Sequence, residues 1–207
     1  MPVSFLAAQL RRMGVTSAIP LMAGAAVALV GKAAAAAWSP VQAMALSFGL
    51  QQVFIICAGV SAAVAVTGDP LVELHEATPA TFRRVQLVRA AIATASGVVG
   101  AVLMFAPLHL AGVWMHDKGW ITLLSPAGAV IVMAAAAFVA TAFTGAVSTT
   151  AIAGVTTWMF LAMLWDPYVE PLLFQRGVPV LAAGALAAFA WRRLGDAERN
   201  VSRAVTA

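Results

Sequence analysis

The chain has 207 residues, 62% hydrophobic and 10% charged, with a mean hydropathy of +0.94 and a formal charge of +4. A water-soluble domain carries about 25% charged residues, so the composition excludes one and places the chain in a membrane. The single cysteine, Cys57, excludes an internal disulfide and a thiolate metal cluster.

Two stretches, Ala33 to Gly68 and Gly119 to Trp165, carry no charged side chain. Each exceeds the roughly 20 residues that cross a bilayer core as a helix. A membrane β-barrel needs alternating apolar and polar positions, and runs such as Ala134-Ala135-Ala136-Ala137 lack that alternation. The expected fold class is therefore all-α: a polytopic membrane protein of one domain.

In chain order, Arg11 and Arg12 precede a first span at residues 14–31. That span is full-length and no convincing small-residue cleavage site follows it, so no cleavable signal peptide is expected. An Ala-rich turn ending in Trp38-Ser39-Pro40 leads to a second span at 41–66. Further spans are expected at 90–110, 123–143, 150–164 and 178–191, the last lengthened if Arg176 snorkels to the interface. Small residues (Ala23, Gly24, Ala25–Ala28 and Gly31 in span one, Ala134–Ala137 in span four) offer smooth faces for close helix packing or simply face lipid.

Nine of the twelve Lys and Arg fall on one side: Arg11, Arg12, Arg83, Arg84, Arg89, Arg192, Arg193, Arg199 and Arg203. Lys32, Lys118 and Arg176 fall on the other. Basic loops stay cytoplasmic, so both termini and the loop after span two are expected in the cytoplasm of a plasma-membrane protein. This asymmetry, rather than nucleic-acid binding, accounts for the positive charge. Trp38, Trp114, Trp120, Trp165 and Trp191 fall at span ends, as an interfacial aromatic belt requires.

The loop after span two is the one charged block between long apolar runs. Asp69-Pro70 reads as a helix start, a capping carboxylate followed by proline at the first helical position. Over the next two turns Leu71, Val72 and Leu74 can face the membrane surface while Glu73, His75 and Glu76 face away. Thr78-Pro79 repeats the start signal, and the helix it opens carries Arg83 and Arg84 at headgroup depth into span three. On spacing alone, the block is either an amphipathic turn on lipid or a surface gripped by a cytoplasmic protein.

Glu73-Leu74-His75-Glu76-Ala77-Thr78-Pro79, after the second of six spans, resembles the E-L-L-x-A-T-P segment of ABC-2-type transporter permeases. The motif covers about ten residues, and the six-span topology covers the whole chain. The resemblance implies that Asp69, Leu71, Glu73, Leu74, His75, Glu76, Thr78, Pro79, Arg83 and Arg84 form a coupling element on a separate ATPase subunit. It further implies a second permease subunit, identical or related, and a surround of membrane lipid. The segment Trp165-Asp166-Pro167-Tyr168-Val169-Glu170-Pro171 is similar to the re-entrant or short helical element such permeases carry before their last span.

No Gly-x-x-x-x-Gly-Lys-Ser/Thr occurs, so no cofactor is expected in this chain, and ATP with its magnesium belongs to the partner ATPase. His75, His109 and His116 lack metal-ligand spacing and read as interfacial. No span places a histidine or acid beside a hydroxyl, so an enzyme is not expected. The hydroxyls of Thr141, Thr144, Ser148, Thr149, Thr150, Thr156 and Thr157 either line a pathway or hold helices together. The spans hold no charge for ion coupling, which suits a transporter driven from outside the membrane and an apolar or amphipathic substrate. The reading from a different class is a membrane adaptor or immunity-type protein that binds its partner through the same loop.

Overall fold

The computed structural model of the protein describes residues 3–67 and 82–194. Among the described residues there are seven α-helices and no strand: α1 (Val3–Arg12), α2 (Gly14–Ala37), α3 (Pro40–Val66), α4 (Phe82–Leu110), α5 (Leu124–Thr144), α6 (Val147–Met159) and α7 (Leu172–Arg193). A 3-10 turn at Trp120–Leu123 leads into α5, and α6 continues as a π-helical segment, Phe160–Trp165. With these extensions six helices are long and apolar enough to cross a membrane, at the six places expected.

Several boundaries differ from the sequence expectation, each for a local reason. The Ala33–Ala37 run is the last turn of α2 rather than a turn between helices; alanine is the best helix former, and nothing stops the helix before Ser39-Pro40. There the chain reverses within two residues. Ser39 closes a reciprocal capping box with Gln42, its side chain accepting from the Gln42 N–H while the Gln42 side chain accepts from the Ser39 N–H, and Pro40 opens α3. The third spanning helix is described from Phe82, well before residue 90. The N-terminal residues form a separate helix, α1, set off from α2 at Met13.

α5 is the most enclosed span and α6 and α7 are the least. α5 packs against α3, α4, α6 and α7, while α2, α3 and α4 pack on one another. α6 and α7 both lie on α5 yet scarcely touch each other. The tightest crossing is between α2 and α4. A Cβ added to Gly24 would lie 2.2 Å from the Gly100 carbonyl oxygen, and one added to Gly100 would lie 2.5 Å from the Pro20 carbonyl oxygen. Gly24, Ala28, Gly31, Ala134 and Ala137 are buried, whereas Ala25 and Ala26 are exposed, so the small-residue stripe packs on one face only.

Prolines interrupt α2, α4 and α7 at Pro20, Pro107 and Pro179. A proline leaves the carbonyl four residues earlier without its helical donor. For Pro20 that carbonyl is Thr16, and it accepts from the Ser61 hydroxyl of α3. For Pro179 it is Gln175, and it accepts from the Trp165 indole N–H at 2.7 Å. α2 and α7 are thereby each tied to a neighbour.

Candidate functional site

The basic end of the bundle is where α1, α4 and α7 bring their arginines together. Arg83 lies over the Trp191 ring, 4.5 Å from its centroid, and Arg193 lies 4.2 Å over Phe143. Beneath them Phe82, Phe138, Ala142, Ala190 and Leu194 form one apolar cluster that fixes the start of α4 against α5 and α7. Arg84 is exposed. Arg89, expected in the loop, instead lies inside α4 at 4% exposure, its Nε donating to Gln9 Oε1 of α1 at 3.1 Å. α4 is about 43 Å long against a core of about 30 Å, and Arg89 lies two turns in from its described start at Phe82. Next to it Gln86 is buried with Oε1 unbonded.

Of the expected docking residues, Arg83 and Arg84 are placed at this end. Asp69, Leu71, Glu73, Leu74, His75, Glu76, Thr78 and Pro79 lie outside the described residues, as do Arg199 and Arg203. Among the described residues this end carries Arg11, Arg12, Arg83, Arg84, Arg89, Arg192 and Arg193 and no acid.

The opposite end carries the described acids. Arg176 does not snorkel outward. It is 5% exposed, and Nη1 and Nη2 each donate to Asp166 at 2.6 Å in a bidentate pair, with Nη2 also donating to Ser125 Oγ at 3.3 Å. Its stem packs on Gly128, where an added Cβ would meet it at 3.1 Å. The turn after α6 is thus pinned to α5 and α7. Residues 166–171, where a re-entrant or short helical element is expected, form an irregular turn after the π-helical segment. His109 Nδ1 pairs with Asp117 Oδ2 and stacks on Phe105. Trp114, expected in the lipid-facing belt, is buried edge-on against Phe105, whereas Trp38 and Trp120 are exposed at helix ends. Among the described residues no three His, Cys, Asp or Glu side chains converge as a metal site.

Within the membrane the threonine cluster divides. The hydroxyls of Thr141 and the fully buried Thr150 lie 3.2 Å apart and join α5 to α6. Thr144, Thr149 and Thr157 instead line an open apolar groove of about 430 Å³, with α6 and α7 as walls and Ala135, Ala136 and Ala140 of α5 in its floor. The sequence reading passed over two further polar features. Trp158 Nε1 donates to Gln52 Oε1 at 3.1 Å, tying α6 to α3 in mid-span. Ser47 is buried between Gly31 and Leu108 with its hydroxyl unbonded. A glutamine inside an apolar window was the available signal for the first.

Comparison of the chain with protein-family models, with curated proteins and with solved structures gave no match.

Proposed function

We propose that this protein is the membrane-spanning permease subunit of an ABC-2-type exporter, moving an apolar or amphipathic substrate with energy from a separate ATPase. The observation that supports the reading is the position of the Glu73-Leu74-His75-Glu76-Ala77-Thr78-Pro79 segment. It joins α3 to α4 at the end where the described arginines gather, and the helix that follows it is seated on α5 and α7 through Phe82. The described start of that helix at Phe82 is braced, so a push delivered there is carried into the bundle. In this reading the basic end faces the cytoplasm of a plasma-membrane protein. Six spans supply half of a pathway, and a second permease subunit supplies the rest.

The two buried arginines fit this scheme. Both lie toward the ends of their helices, Arg89 against Gln9 and Arg176 against Asp166, leaving the described middle of the bundle without a carboxylate, histidine or basic side chain for proton or sodium coupling.

The test is co-purification. In the Glu73→Lys/Glu76→Lys double variant the spans are untouched, but a desolvated interfacial charge left unpaired costs about 2–5 kcal/mol. The expected result is loss of the ATPase subunit on gentle extraction from the native host. Pro79→Ala keeps the contact surface and loosens the start of the following helix, so the ATPase stays bound while export falls. A double variant that retains both ATPase and full transport removes this segment as the docking element. Recovery of the wild-type chain with a non-ATPase partner supports the adaptor reading instead.

A further inference from the structure

The groove between α6 and α7 is a second place where the molecule is unfinished. Its floor and walls run from Val132 to Thr144 on α5, from Thr149 to Leu161 on α6 and its π-helical extension, and from Pro179 to Leu186 on α7. It therefore extends from mid-membrane toward the basic end. Two of its hydroxyls, Thr149 and Thr157, have no hydrogen-bond partner among the described residues. At its basic-end limit lies Phe143, and over that ring sits the guanidinium of Arg193, whose buried Nε is also unbonded.

We infer that this groove binds one anionic phospholipid from the leaflet at the basic end. The acyl chain lies on the alanine floor, the ester oxygens accept from the Thr149 or Thr157 hydroxyl, and the phosphate pairs with Arg193. The cation at the rim separates this occupant from a helix of a second copy: an apolar helix face leaves Arg193 without a counter-charge, whereas a lipid phosphate supplies one. The groove offers about 430 Å³. For scale, an apolar cavity of about 150 Å³ takes up one benzene. Charge selects the headgroup: by sequence the segments flanking this end (residues 1–13, 67–89 and 192–207) hold nine arginines against five acids, Arg193 stands at the rim of the groove, and each arginine near an anionic surface contributes about 1 kcal/mol.

The experiment uses the full chain in detergent, stripped of lipid and then offered phosphatidylglycerol or phosphatidylcholine, with retained lipid counted by native mass spectrometry. Wild type should hold one phosphatidylglycerol per chain in preference to phosphatidylcholine. Ala136→Leu fills the groove from its floor and Ala153→Leu from one wall. Each should abolish the retained lipid while leaving the lipid-free melting temperature within a few degrees of wild type, which separates a filled site from a misfolded chain. Arg193→Gln should keep the lipid but reduce the preference about fivefold. Equal retention of the two lipids by wild type, or undiminished phosphatidylglycerol in both filled variants, overturns the proposal. So does loss of a dimer in those variants with lipid retention unchanged, which would assign the groove to a second copy.

Discussion

Thr16 and Gln175 show how single residues keep this bundle intact where its helices break their own rules. In hydrocarbon no water reaches a freed carbonyl, so a proline inside a span needs a donor from elsewhere. Ser61 and Trp165 are those donors. An acceptor stripped of its partner and left buried costs about 1–3 kcal/mol. Ser61→Ala should therefore lower unfolding stability by that amount, measured by titrating the detergent-solubilised chain with a denaturing surfactant. The Pro20→Ala background should abolish most of the loss, because the residue 20 N–H then serves the Thr16 carbonyl itself. Equal losses in the two backgrounds would mean that Ser61 contributes only packing. Neither bond was legible beforehand: the sequence shows where a proline frees a carbonyl, but the donors are 45 and 10 residues away. Burial of Arg89 and Arg176 was hidden in the same way, since a cation reads as a loop marker until Gln9 or Asp166 is known to face it.

At the scale of elements, what could be read in advance was what depends on composition over a whole window. Six apolar stretches became six spanning helices because each is long enough and free enough of charge. α1 escaped because ten residues are too few for a hydrophobic window, although the buried Gln9 marks its packed face. Of the candidate docking site, only the anchor at Arg83 and Arg84 can be set against the structure. The junction of α6, α7 and α5 at the acid-bearing end carries its own prediction. Removing one member of a buried ion pair costs about 3–5 kcal/mol, while replacing both with apolar groups is often neutral. Arg176→Met and Asp166→Leu should each destabilise by several kcal/mol, and the double variant should recover most of it, read from thermal melts. Additive losses would show that the two side chains act separately. Gly128 limits the choice of replacement, since the stem at 176 must still lie flat against α5.

The whole molecule has two chemically different ends, and that difference makes orientation testable. In a Cys57→Ser background, cysteine at Lys118 or Tyr168, both exposed at the acid-bearing end, should react with an impermeant thiol reagent in intact cells. Gly119 is a poorer choice because its φ of 83° disfavours any side chain. Cysteine at Ala80 or Ala197 should stay unlabelled until the membrane is opened, and labelling of Ala80 from outside would reverse the orientation. The uneven enclosure of the spans also bears on how the protein is made. α2, α3 and α4 pack among themselves and leave the ribosome before α5, so they can settle as a unit before it follows. α6 has one buried residue, Thr150, between Val147 and Met159, and its neighbour in space is α5 more than α7. Until α5 is inserted, α7 has almost nothing to recognise but lipid, and α6 has only its contact with α3, where Trp158 meets Gln52. Synthesis that stalls just after α4 leaves a core able to wait, whereas failure of α5 strands two apolar helices that membrane quality control can seize.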